Sequence, residues 1–145
     1  MTDRVLAVTD RFITYQHKLR LGDWDIRYHD AWPEDKTDST AETYISMGPR
    51  AATITIHPDV VGPNLDCHVV HEMMHIVLAE YALAAKNAIA KLGPGAEAVL
   101  DILGEMEERI CDTVAHALTG VTYIPVAGNS VEFHVPFLDT TTCTE

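Results

Sequence analysis

The sequence contains few cysteines, and their number excludes one class of fold. Only Cys67, Cys111 and Cys143 occur in 145 residues. An odd number at wide spacing is not the framework of a disulfide-rich domain. Free thiols are typical of proteins in a reducing compartment, so we expect a cytoplasmic protein.

The sequence also lacks a targeting segment and a long apolar run. Residues 1–20 are amphipathic and have no continuous apolar core, so they do not predict a signal peptide. No stretch reaches membrane-spanning length without charged residues. We therefore expect no membrane partner.

Basic residues are scarce. Lys and Arg number 10 against 22 Asp and Glu, which gives a formal net charge of -12. Because a strongly acidic protein repels polyanions, we expect no nucleic-acid partner, and a structural zinc protein that binds nucleic acid is disfavoured. The length and the 47% content of hydrophobic residues suffice for one core. We expect a single domain over residues 1–145.

The N-terminal half predicts a helix followed by three short strands. Apolar residues at helical spacing cover residues 3–20. Alternation of apolar and polar residues predicts strands at residues 24–28, 43–47 and 52–56, with a loop at residues 30–41. The turn signal Gly48-Pro49-Arg50 predicts that the last two strands form an antiparallel hairpin.

Two long helices are expected in the C-terminal half. The first covers residues 65–92, with Asn64 as its N-cap and Gly93-Pro94-Gly95 as its end. The second covers residues 96–118 and ends at Gly120. A strand-like run follows at residues 131–135, and a polar tail at residues 139–145 is expected to be mobile. The fold class is α+β, with a small, mainly antiparallel sheet packed on the two helices.

The first long helix carries the motif H-E-x-x-H at residues 71–75. Residues four apart share a helix face, so His71 and His75 can bind one metal ion. Glu72 lies beside this pair, where a carboxylate can act as general base towards a metal-bound water. A surface helix that carries these residues by chance is the simpler alternative. The apolar neighbours argue against it, because unpaired polar side chains are costly in a buried helix.

The second long helix offers three candidates for the third metal ligand. These are Glu105, Glu107 and Glu108. We favour Glu108 because Asp112 lies four residues later on the same face, where it can hydrogen-bond the far nitrogen of a liganding histidine.

Other residues near the motif remain open as replacement ligands. His68 lies three residues before His71, and Cys67 lies four before it. Both are otherwise residues of the first turns of the helix. Cys111 is better explained as a small core residue than as a ligand.

H-E-x-x-H on one helix followed by E-x-x-x-D on the next resembles the gluzincins, the thermolysin-like zinc metallopeptidases. The order of elements over residues 21–118 is similar to the minimal single-domain forms common in phages and prophages, which would place the protein in a host cytoplasm. The resemblance implies a zincin-like fold with Zn²⁺ bound by His71, His75 and Glu108. It implies that Glu72 is the general base and Asp112 a carboxylate that orients a ligand.

The resemblance also implies where a substrate binds. The strand at residues 52–56 resembles the edge strand that pairs with an extended peptide in this family. Its residues are Ala52, Thr53, Ile54, Thr55 and Ile56.

The leading hypothesis is a zinc-dependent metallopeptidase that hydrolyses a neutral or basic protein or peptide. The alternative is a non-catalytic, zinc-containing regulatory or binding module on the same fold. The intact Glu72 favours the enzyme, since a scaffold needs ligands but no base. The candidates for a donor that stabilises the oxyanion are not separated by spacing. They are Tyr28, Tyr44, His116, Tyr123 and His134.

Overall fold

The structure is a computed structural model that describes residues 3–33 and 39–121, and its fold class is α+β as predicted. The chain forms α1, β1, β2, β3, α2, a short 3-10 helix and α3. Their bounds are Asp3–Lys18, Asp25–His29, Ala41–Ser46, Ala51–Ile56, Pro63–Ile89, Ala90–Leu92 and Ala96–Thr119. The predicted strand at residues 131–135 and the predicted polar tail lie outside the described residues, as do Tyr123, His134 and Cys143.

The three strands form a mixed sheet in the order β1-β3-β2. The predicted hairpin is confirmed, because β2 and β3 pair antiparallel with Thr43 opposite Ile54. The prediction of a mainly antiparallel sheet is wrong, because β1 pairs with β3 in parallel, with Tyr28 also opposite Ile54. A parallel pair needs a long connection, and all of β2 lies between β1 and β3 in the sequence.

β3 is the central strand, so the assignment of residues 52–56 as the substrate-binding edge is wrong. Hydrogen bonding to β1 and to β2 occupies both sides of Ala52, Thr53, Ile54, Thr55 and Ile56. Ala52, Ile54 and Ile56 are buried in the core. Within the described residues, the edge strand on the far side from β1 is β2.

α2 begins one residue before the predicted N-cap. Pro63 occupies the first turn, where its missing N–H costs no helical hydrogen bond, and Gly62 precedes it with a φ of 60°. Asn64 therefore lies inside the helix and does not cap it. The segment from Leu65 to Met74 is almost continuously buried. A helix segment buried on most of its sides does not need a wide polar face.

α3 packs against α2 through small buried residues. Cys111 and Ala115 are fully buried on the contact face, and short side chains allow two helices to approach closely. The helix ends as predicted at Gly120, which has a φ of 68° and whose N–H donates to the His116 carbonyl. Among the described residues, no helix combines the length and the apolar character needed to cross a membrane.

Arg4 connects α1 to the end of β3. Its guanidinium donates to the Tyr28 hydroxyl and to the carbonyls of Ile56, His57, Pro58 and Val60 at 2.7–3.2 Å. Ile56 is the last residue of β3 and the other three residues follow the strand, so these carbonyls lie where the ladder ends. One side chain therefore ties α1 to the chain that leads into α2.

We expect Arg4→Ala to lower the free energy of unfolding by about 2 kcal/mol or more, since hydrogen bonds from a charged group are among the stronger ones. Arg4→Lys should recover only part of the loss, because an ammonium cannot span the same acceptors. Urea denaturation measures both. Arg109→Ala, on the exposed surface of α3, is the control. Equal stability of Arg4→Ala and this control would contradict the role of Arg4.

Candidate metal centre

His71 and His75 lie one turn apart on α2 and converge on one point. Their Nε2 atoms are 3.2 Å apart. His71 is 5% exposed, and the packed neighbours on α2 hold the helix in place around it. The pair therefore presents two nitrogens to one position at the protein surface.

Each histidine is oriented by its own carboxylate from α3. His71 Nδ1 lies 2.9 Å from Asp112 Oδ1, and His75 Nδ1 lies 3.0 Å from Glu107 Oε1. A carboxylate accepts a hydrogen bond, so Nδ1 of each ring carries a proton, and in the neutral imidazole Nε2 then keeps its lone pair. A proton on Nδ1 and a lone pair on Nε2 are what metal binding through Nε2 requires. The other oxygen of Glu107, Oε2, lies 3.7 Å from Lys86 Nζ.

Glu108 brings a carboxylate to the same point. Its Oε2 is 3.2 Å from His71 Nε2, and its Oε1 is 3.5 Å from His75 Nε2. Ligand atoms at about 2.0–2.1 Å from a tetrahedral ion lie about 3.3 Å from one another. The separations therefore fit a metal ion held by His71, His75 and Glu108, and one ligand atom from each lies within 4.8 Å of the others.

The acidic surroundings change the ionisation of the candidate ligands. Burial by itself lowers the pKa of His71, but the hydrogen bond to Glu108 and the charges of Glu72, Glu108 and Asp112 outweigh it and raise the pKa. The hydrogen bond from His71 lowers the pKa of Glu108, against the opposing effect of partial burial. The cluster thus concentrates negative charge where a cation would lie.

Glu72 is buried beside the two histidines, with 6% of its surface exposed. Thr43 of β2 donates a hydrogen bond of 2.6 Å to Glu72 Oε2. Burial raises the pKa of Glu72, while the bond from Thr43 and the charges of His71 and His75 lower it. A carboxyl group in such surroundings is suited to taking up and releasing a proton.

A cavity open to solvent lies over this group of side chains. Residues of β2, among them Ala41, Thr43 and Ile45, form one wall, and Lys86 of α2 and Glu107 of α3 lie on the other side. A substrate in the cavity would reach Glu72 and the candidate ligands at once.

The structure places His68 and Cys67 away from the cluster. His68 is buried; its Nδ1 lies 2.8 Å from the Asn64 carbonyl and its Nε2 lies 2.9 Å from Thr40 Oγ1. Nδ1 therefore donates, and Nε2 accepts from the hydroxyl. The Cys67 thiol donates to the Val121 carbonyl. Both residues are satisfied within the core.

Two further residues from the sequence analysis lie outside the converging group of His71, His75 and Glu108. Glu105 is exposed on α3. Cys111 is fully buried against α2. Cys111 is therefore a small core residue, as predicted.

The described candidates for an oxyanion donor lie outside the cavity lining. The Tyr28 hydroxyl bonds Arg4 and Asp30. Tyr44 is 75% exposed on the opposite face of β2 from Thr43. His116 is exposed near the end of α3. Lys86 is the cation that lines the cavity.

Three residues of this site were not assigned their roles from the sequence. From the sequence, Thr43 is only a strand residue, Lys86 has no predicted role, and Glu107 is a rival third ligand and not the partner of His75. The alternation of apolar and polar residues along β2 could predict that Thr43 lies on the inner face of the sheet. It could not predict that Thr43 contacts Glu72 of α2.

Comparison with protein-family models, with curated proteins and with solved structures finds no match to this chain. The resemblance to gluzincins therefore depends on the two sequence motifs and stays a prediction.

We expect Glu108→Ala to weaken zinc binding by about 100-fold or more, because loss of a carboxylate that only orients a ligand already costs about 10- to 100-fold. Competition with a chromophoric chelator measures the affinity. Glu105→Ala, on the same helix, is the control and should match the wild type. Unchanged affinity in Glu108→Ala would remove Glu108 from the site.

A second prediction concerns His68. Burial lowers its pKa, against the opposing hydrogen bond to Asn64, so the folded protein holds it neutral. Its contribution to stability is complete above its unfolded pKa of about 6.5 and is lost as the pH falls below that value, by at most about 1.4 kcal/mol per pH unit. His68→Gln should therefore be less stable than the wild type at pH 8, and the difference should narrow in acid.

Urea denaturation of metal-free protein across this pH range checks the effect of His68. His17→Gln, at an exposed position of α1, should keep the pH dependence of the wild type. A difference between His68→Gln and wild type that stays constant with pH would show that His68 does not stay neutral in the fold.

Proposed function

We propose that the protein is a zinc-dependent, gluzincin-like metallopeptidase. The observation that carries the proposal is the buried Glu72 carboxylate beside the converging ligand atoms of His71, His75 and Glu108. Two imidazoles and one carboxylate are a ligand set of catalytic zinc sites, which keep a further position open. When bound, the metal would supply a Lewis acid that polarises the scissile carbonyl and lowers the pKa of water.

Glu72 performs the proton transfers in this proposal. Its carboxylate takes a proton from the attacking water and later delivers it to the nitrogen of the leaving amine. Asp112 and Glu107 keep the two imidazoles in one tautomer and orientation. A purely structural site would need these ligands and their partners but not a buried carboxylate next to them.

The edge that would bind an extended peptide is β2 instead of the predicted β3. The His57 N–H donates to the Thr40 carbonyl at 2.8 Å, so these two residues form a hydrogen-bonded pair. In the β2–β3 register, every second pair of opposite residues is hydrogen-bonded in the same way. In an antiparallel ladder, the residues between hydrogen-bonded pairs direct their backbone groups to the other side. Ala41, Thr43 and Ile45 therefore offer N–H and C=O groups at the edge beside the cavity.

One observation favours the alternative, a non-catalytic zinc-containing module. Among the described residues, none of the predicted oxyanion donors lines the cavity, and Lys86 already lies near Glu107. Such a module would bind metal and a peptide without hydrolysing it. The two functions differ in whether Glu72 is needed for a measurable reaction.

We expect Glu72→Gln to bind zinc as the wild type does and to hydrolyse peptide bonds at least about 100-fold more slowly, because the amide cannot act as a base. Zinc content and the cleavage of fluorescein-labelled, carboxamidomethylated lysozyme, an unfolded basic substrate that suits the acidic protein, are the measurements. Glu105→Gln is the matched control and should retain activity. Zinc binding without hydrolysis in the wild type would favour the non-catalytic module, and loss of zinc from Glu72→Gln would make Glu72 a ligand.

A further inference from the structure

We propose that Thr43 is a positioning residue that holds the Glu72 carboxylate for proton transfer. The proposal rests on the proposed hydrolysis at the same site. It adds a residue of the sheet to a site that the motifs assign to two helices alone.

The first observation is the contact itself. Thr43 Oγ1 lies 2.6 Å from Glu72 Oε2 and 3.4 Å from the Glu72 carbonyl oxygen. A hydroxyl donating to a carboxylate at this distance forms a short, charge-assisted hydrogen bond. Because only Oε2 takes part, Oε1 stays available for the proton of a water molecule.

The second observation is that the surroundings of Glu72 restrict other partners. Val69 and Ile76, about one turn before and after Glu72 on α2, are buried and apolar, and the polar neighbours His71 and His75 direct their Nε2 atoms towards each other at the metal site. A carboxylate without a hydrogen-bond donor in such surroundings would be free to swing towards solvent. The Thr43 hydroxyl holds the carboxylate in one orientation.

The third observation is the position of Thr43 in the sheet. Residues opposite each other in a ladder share a face, so Thr43 lies on the inner face with the buried Ile54. The backbone groups of Thr43 lie at the edge of β2 that no other strand of the described residues pairs with. One residue therefore contacts the general base through its side chain and offers its main chain to an extended peptide.

This arrangement predicts a specific kinetic effect. Loss of the hydroxyl leaves the main-chain groups of β2 in place, so peptide binding should be retained. The orientation of the Glu72 carboxylate should be lost, so the rate at which bound substrate is hydrolysed should fall. A residue that served only to join β2 to α2 would instead change stability and substrate binding together.

The experiment compares Thr43→Val, which replaces the hydroxyl with a methyl group, with Thr43→Ser, which keeps it. Thr53→Val is the matched control, since Thr53 lies on β3 next to the buried Ala52 and Ile54 but on the outer face. Zinc content, melting temperature, and kcat and KM for cleavage of the same carboxamidomethylated lysozyme are measured on the full chain loaded with zinc, beside the wild type and Glu72→Gln.

We expect Thr43→Val to lower kcat by about 10- to 100-fold, the effect of losing one hydrogen bond to a charged group. KM should stay within about threefold of the wild-type value, because the main-chain groups that would bind the peptide are unchanged. Zinc content should also match the wild type. Thr43→Ser should restore most of kcat, and Thr53→Val should match the wild type.

A readout without catalysis comes from the zinc-free chain. In protein labelled with ¹³C at the glutamate carboxyl carbons, the resonance of Glu72 is identified by its loss in Glu72→Gln. Thr43→Val should shift this resonance, whereas Thr43→Ser and Thr53→Val should leave it near its original position. This measurement reports the hydrogen bond whether or not a metal is present.

Three results would overturn the role of Thr43 and leave the proposed hydrolysis intact. A wild-type kcat in Thr43→Val would show that the bond does not serve hydrolysis, and an unshifted Glu72 resonance would show that the bond is absent. Equal losses in Thr43→Ser and Thr43→Val would show that the hydroxyl is not the reason. Equal rates for the wild type and Glu72→Gln would instead overturn the proposed hydrolysis, and the role of Thr43 with it.

Discussion

The burial of polar side chains inside α2 is the constraint on which the rest of the structure depends. His68, His71 and Glu72 are all buried within a largely apolar helix, and a buried polar group without a partner costs several kcal/mol. Each has a partner outside α2: His68 bonds Thr40 just before β2, His71 bonds Asp112, and Glu72 bonds Thr43. α3 and the start of β2 must therefore dock on α2 in one register.

The docking of α3 shows how one constraint produces a metal site. Cys111 and Ala115 are small enough for the two helices to approach closely. This approach brings Glu107, Glu108 and Asp112 within hydrogen-bond distance or ion-pair distance of the two histidines. The negative charge that accumulates there suits a bound cation, and the same charge outweighs the effect of burial and raises the pKa of His71.

The sheet contributes to the site because β2 is its edge. The mixed strand order leaves β2 paired on one side only within the described residues. The strand that meets the solvent beside the cavity is therefore also the strand that contacts Glu72. Access of an extended ligand and placement of the carboxylate depend on the same six residues, Ala41–Ser46.

The sequence alone determined the features that depend on neighbours along the chain. Periodicity was enough for three long helices and three strands, and the i, i+4 spacing was enough to place His71 beside His75. The hairpin of β2 and β3 followed from its turn. The sequence did not reveal that β3 is central, because the pairing of Asp25 with Ala51 joins residues far apart in the chain. It favoured Glu108 through the spacing to Asp112, but the partnership of Glu107 with His75 depends on how α3 is rotated against α2. The contact of Thr43 with Glu72 also joins two distant elements, and no local pattern encodes such a distance.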